Sequence, residues 1–140
     1  MAMSRFIPSV ALFVASVAVG CSKSPYDLAP VQGSVRIDGR PLTTGKVMFA
    51  PIAQGNNANA GKPAFGRIQS DGRYVLTTLS DGDGAIVGEH WVTILDGEVP
   101  GMLPFPRLPV GQKQTVAPGT NEIDIELSGQ EAARYAAKGN

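Results

Sequence analysis

The 140-residue chain carries 12 basic and 12 acidic side chains, is formally neutral, and has no basic stripe, which excludes an electrostatic nucleic-acid footprint. Its single cysteine excludes an intramolecular disulfide framework, so stability has to come from packing. Seventeen glycines and eleven prolines make a turn-rich composition that favours many short strands over helices.

Arg5 precedes a fifteen-residue uncharged run, Phe6 to Gly20, and Ala18-Val19-Gly20 leads straight into Cys21. A positive start, an apolar stretch of this length and small residues before a cut predict a secretory signal over residues 1–20. The run is short of the ~20 residues of a membrane span, and Pro8, Ser9 and Ser16 weaken it further. The residues before Cys21 resemble the lipobox of bacterial lipoprotein signals, with Ala18 where Leu is most common. That resemblance implies a diacylglycerol thioether on Cys21 and an acylated new amino terminus. At roughly 0.8 kcal/mol per buried CH₂, one chain binds marginally and two or more hold a protein on a bilayer. The implied product is exported and lipid-anchored to the cell envelope; Ser22 after the cysteine resembles the class sent to the outer membrane. Without residues 1–20, 11 basic groups face 12 acidic ones, and the length suits one domain.

Residues 21–30 read as a polar tether, because Ser22 to Pro30 has little to bury. The domain is expected over residues 31–128. Val31, Gly33, Val35 and Ile37 alternate with polar residues until Asp38-Gly39 stops the strand. Gly45 to Pro51 repeats the pattern with Val47 and Phe49 on one face, and Pro51 suggests that the strand ends at an edge. Gln54 to Lys62 is a polar loop. Ala64 to Gln69 and Arg73 to Thr78 flank Ser70-Asp71-Gly72, which predicts a tight hairpin. Leu79 to Gly88 is turn-rich. His90 to Leu95 is a strand with Val92 and Ile94 on one face, Trp91 and Thr93 on the other. Asp96 to Gly111 contains four prolines and is expected to lie outside any regular ladder. Gln112 to Ala117 and Asn121 to Leu127 are expected to pair as a last hairpin around Pro118-Gly119-Thr120. In that final strand Ile123, Ile125 and Leu127 face inward. Ser128 with Glu131 forms a capping box for a short helix over residues 129–140. Seven short strands at this spacing predict an all-β sandwich.

Val31-Gln-Gly-Ser-Val35, Asp38-Gly-Arg-Pro-Leu42, Gly45-Lys-Val-Met-Phe49, Asp71-Gly-Arg-Tyr-Val-Leu76, Gly82-Asp-Gly-Ala85 and Gly88-Glu-His-Trp-Val92 resemble the carboxypeptidase regulatory-like domain. The resemblance covers roughly residues 31 to 127. It implies a seven-stranded transthyretin-like (prealbumin-like) β-sandwich of a small bacterial lipoprotein. Its motifs describe how the chain turns and not what it binds. His90 stands where that family usually has an inward aromatic.

His90 is the single histidine, and no nucleophile or orienting partner is marked beside it. A transthyretin-like hydrolase of 5-hydroxyisourate relies on several histidines, an arginine and a C-terminal Tyr-Arg-Gly-Ser. This chain ends Tyr135-Ala-Ala-Lys-Gly-Asn140, so that activity does not carry over and no catalytic residue is expected. Asp81, Asp83 and Glu89 offer oxygen ligands to Ca²⁺, but counting from Asp81 the EF-hand places Ala85, Ile86 and Val92 where ligands, glycine and glutamate belong. Paired turn residues are the better account, and no cofactor is expected. Trp91, outward by alternation, suits stacking on a sugar or a partner. In the proline-stiffened segment 99–109, Met102, Leu103, Phe105 and Leu108 either project as a partner-binding ridge or fold down over an open end of the domain; the second reading is favoured, since large apolar patches are seldom left exposed. The expected role is a non-enzymatic envelope binding or scaffold module acting on a protein or polymer through loops. A carbohydrate- or small-ligand-binding lipoprotein is the alternative, ahead of a calcium-stabilised module or a hydrolase.

Overall fold

In the alternation of β2 (Val31–Ile37), Val31, Gly33, Val35 and Ile37 are buried while Gln32 and Arg36 are exposed and Ser34 is half-buried. The computed structural model describes residues 24–56, 58–99, 101 and 104–138, and these are mostly strand with one short helix at the C-terminal end. Around β2 the order is β1 (Leu28–Ala29), β3 (Arg40–Pro41), β4 (Thr44–Pro51), β5 (Ala64–Arg67), β6 (Arg73–Val75), β7 (Ala85–Ile86), β8 (Gly88–Glu98), β9 (Phe105–Val116), β10 (Asn121–Glu122), β11 (Ile125–Leu127) and α1 (Gly129–Lys138). Eleven segments appear among the described residues where seven were expected, because β1, β3, β7 and β10 are two-residue pairings too short to read from a pattern.

One sheet is antiparallel in the order β5-β4-β8-β9. The other is built on β2, which pairs antiparallel with β3 and β6 and parallel with β10 and β11. Strand β1 pairs with β7 apart from both. Inward rows from both sheets join one apolar cluster, with Val35, Ile37 and Leu76 on one side and Val47, Phe49, Ile94 and Leu108 on the other. Phe49 meets Tyr74 across it at 6.3 Å between ring centroids.

Local chemistry explains the turns. Asp38 and Gly39 both take positive φ (49° and 78°), the requirement of a two-residue hairpin turn of the right twist. Gly33 lets the Ile123 segment approach: a Cβ there would stand 1.9 Å from the Ile123 carbonyl oxygen. The buried Tyr74 hydroxyl donates to that same carbonyl. Burial first, then the nearby carboxylates of Asp124 and Glu122, push the phenol pKa up and keep the hydroxyl a donor.

Four expectations need correction. Asp96 to Gly111 is not outside the ladders: β8 runs to Glu98 and β9 begins at Phe105. Strand β9 pairs with β8 alone, so its other side has no ladder bond for a proline to break. The register also passes from Leu95↔Arg107 to Gly97↔Phe105 without pairing Asp96 to Pro106, and Asp96 takes a positive φ of 50° there.

The last hairpin does not form either. Pro118-Gly119-Thr120 carries the chain from β9 in one sheet to β10 and β11 beside β2 in the other. Asn121 organises the crossing: its Nδ2 donates to the carbonyls of Ala117 (2.8 Å), Gly119 (3.2 Å) and Pro30 (3.2 Å), and its Oδ1 accepts from Ala117 N–H (2.9 Å).

The Ser70-Asp71-Gly72 turn is present, yet its arms splay. Strand β5 joins the four-stranded sheet, β6 joins β2, and the Phe65↔Thr77 bridge links the two arms. The tether is not wholly polar: Leu28 and Ala29 pair with Ile86 and Ala85, and Ala29 is buried. At the other end, Ser128 Oγ accepts from Gln130 N–H (3.2 Å) at the start of α1, which buries Ala132. Among the described residues no helix is long and apolar enough to cross a membrane.

Candidate functional site

Several of the residues singled out in the sequence serve the fold. His90 has no exposed surface; its Nε2–H donates to the Ile86 carbonyl at 2.6 Å, and its ring packs 5.7 Å from that of Phe49. Burial lowers its pKa, outweighing backbone hydrogen bonds that act to raise it, so the ring is neutral. A cleft of about 160 Å³ runs between Pro51–Gln54 and Ile86–His90, but the imidazole itself is sealed from solvent.

Asp83 is the brace of its loop. Its carboxylate accepts from the backbone N–H groups of Thr78 (2.7 Å), Leu79 (3.0 Å) and Ser80 (2.8 Å). Partial desolvation acts to raise its pKa, and these bonds overcome that and hold it below the ordinary range. Glu89 instead faces Lys113 at 3.9 Å, and Asp81 is exposed. Among the described residues no group of three or more His, Cys, Asp or Glu is placed to hold a metal, so these three carboxylates do not converge.

Phe105 and Leu108 point into the core. The Phe105 ring occupies the space a Cβ on Gly97 would need, 2.2 Å from its nearest ring carbon. Met102, Leu103 and Cys21 lie outside the described residues. Trp91 is half exposed on the outer face of the four-stranded sheet.

That face has a definite order. Directly opposed residues share a face in an antiparallel ladder, so the register reads out its composition. One transverse row is Arg67, Lys46, Leu95 and Arg107. The next is Phe65, Met48, Thr93 and Pro109. Beyond it Ala50 opposes Trp91, and Lys113 Nζ lies 5.5 Å from the indole centroid. Phe65 is exposed as well, while Thr93 between them is buried. The face therefore carries two exposed aromatics in an apolar band, with cations along one margin and Lys113 at the other. Below the cationic row, a groove of about 420 Å³ is lined by Thr43, Thr44, Lys46, Arg67 and Asp96.

A second concavity, about 450 Å³, opens between β9 and β11 and carries Gln112, Gln114, Asp124, Glu126 and Glu131. It brings acidic and amide groups together without a histidine or a hydroxyl nucleophile among its lining residues.

No family model and no curated protein matches the chain. Among solved structures, it is similar to a DUF3823 family protein from Parabacteroides merdae at 15% identity and a TM-score of 0.44. That likeness covers 72% of this chain and 46% of the other, so the chain spans less than half of that protein. It is also similar to the dioxygenase domain of a dioxygenase and carbohydrate-binding protein fusion from Streptomyces sp. SirexAA-E, at 16% identity and a TM-score of 0.40 over 76% of this chain and 83% of that one. At this level of similarity neither neighbour's activity transfers.

Proposed function

We propose that the protein is a non-enzymatic binding module that engages its partner through the outer face of the β5-β4-β8-β9 sheet. In this reading lipid on Cys21 displays it from an envelope membrane, and its two sheets are the halves of a carboxypeptidase regulatory-like sandwich. The observation that carries the reading is the pairing of half-exposed Trp91 with exposed Phe65 on one apolar band bordered by cations. Aromatic side chains of this kind dominate recognition surfaces, because they supply much contact area for little lost side-chain freedom. The rim charges add selectivity and steer encounter. His90, sealed and neutral, has no access to a substrate. This reading puts recognition on the sheet face, since Phe105 and Leu108 of the 99–109 segment are committed to the core.

A photo-crosslinking residue in place of Phe65, expressed in intact cells, tests this. The module reading expects a discrete adduct from position 65 and none from an exposed position on the other sheet such as Val75. Equal, diffuse labelling from both positions overturns it.

A further inference from the structure

We infer that the ligand of this face is an acidic polysaccharide, a chain of sugar rings bearing carboxylate or phosphate groups; this rests on the binding-module reading and specifies its partner. The key observation is the row Arg67, Lys46, Leu95, Arg107. Lys46 and Arg67 are directly opposed on neighbouring strands, which sets their Cβ atoms roughly 5 Å apart, and like charges so opposed cost a sheet stability. No carboxylate forms an ion pair with either among the described residues, although Asp96 lines the same groove. Arg107 extends the row on the far side of Leu95 and is exposed. A pair of cations set against each other beside Thr43 and Thr44 is what an anionic group entering the groove would relieve.

The apolar band supplies the second half of the recognition. Trp91 and Phe65 sit two strands and one rung apart, roughly 12 Å from strand spacing and rise, so they serve successive units of a chain rather than a single ring. Sugar rings present C–H faces that stack on aromatic side chains, and their charged substituents project to the side, where the cations stand. Lys113 over the indole adds a fourth cation at the opposite margin, held loosely by Glu89 at 3.9 Å. An anionic lipid surface offers the same charge, and the test carries it as a competing arm. A nucleic acid presents the same negative charge, and the test carries it as a second competing arm.

Trp91 is the only tryptophan, so its emission reports on this face alone. The test titrates the full-length protein, in detergent micelles, with polygalacturonate. Dextran, a thymidine oligonucleotide and phosphatidylglycerol doped into the micelles run as parallel arms. The expected result is a saturable change with polygalacturonate that weakens as salt rises and is absent with dextran. Lys46→Glu is expected to weaken binding at least tenfold while its melting temperature holds or rises, since it turns a like-charge pair into an opposite one. Phe65→Ala is expected to weaken binding several-fold. No change with polygalacturonate, a change unaltered by Lys46→Glu, or a stronger response to the oligonucleotide or the anionic lipid overturns the inference. If polygalacturonate fails while the position-65 crosslink still captures a discrete partner, the module reading stands and the acidic-polysaccharide inference falls.

Discussion

Replacing His90 with phenylalanine removes the chain's single histidine, a buried group whose pKa burial lowers. The imidazole has no exposed surface and its pKa is lowered by burial, so the folded protein keeps it neutral at pH values where the unfolded chain takes up a proton. The sign follows: this contribution to stability is complete above the unfolded pKa of about 6.5, and it is lost as pH falls below that value toward the depressed folded pKa. A single proton gives a limiting slope of about 1.4 kcal/mol per pH unit, so wild type should lose up to about 1.4 kcal/mol between pH 7.5 and 5.5. For a domain of this size that corresponds to about 4–6 °C in melting temperature. Asp83, with its lowered carboxylate pKa, loses its contribution only as pH falls below its ordinary value of 3.8, outside this window. Urea melts at pH 7.5, 6.5 and 5.5 read the effect. His90→Phe keeps a ring against Phe49 but gives up the donor to Ile86, so at pH 7.5 it should be less stable by about 1 kcal/mol. Its stability should then be nearly flat across the window. A variant with the same pH slope as wild type, or a wild type with none, refutes the reasoning.

Tyr74→Phe leaves the Ile123 carbonyl without its buried hydroxyl donor and should cost about 1–3 kcal/mol in denaturant melts; an unchanged midpoint would show that water replaces the hydroxyl. Gly97→Ala forces a methyl into the Phe105 ring and should destabilise by about 1–3 kcal/mol, with partial recovery when Phe105→Leu is added. Asp83→Asn exchanges one acceptor oxygen for a donor facing backbone N–H groups. It should lower stability by about 1 kcal/mol, and EDTA should leave the melting temperature of both proteins unchanged. A chelator-dependent melt would restore the calcium reading.

Local chemistry in this sequence reads well and long-range pairing does not. The alternation of Val31 to Ile37 and of Ile123 to Leu127 reports one buried face, and both segments have it, although the second is strand only at Ile125–Leu127. The Asp38-Gly39 stop and the Ser128 cap are equally visible, because turn and cap chemistry is decided within a few residues. The proline-rich segment misleads because a proline's effect depends on which side of the strand is bonded, and nothing local says that β9 is an edge. The Pro118-Gly119 turn misleads for a related reason: its residues permit a hairpin, but Asn121 and the inward row of Ile123 and Ile125 direct the chain to β2. Of the candidate face, outward Trp91 is legible from alternation. Its companions are not, because Lys46, Arg67, Leu95 and Arg107 come from four strands and share a row only once the register is known.

The most direct measurement is hydroxyl-radical footprinting of the protein in intact envelopes against the same protein purified. Trp91, Phe65 and Met48 should be protected in the envelope, while Leu79 and Tyr135, exposed elsewhere, should react equally in both states. Equal labelling of Trp91, Phe65 and Met48 in both states, or protection confined to Leu79 and Tyr135, would contradict a recognition surface on the four-stranded sheet.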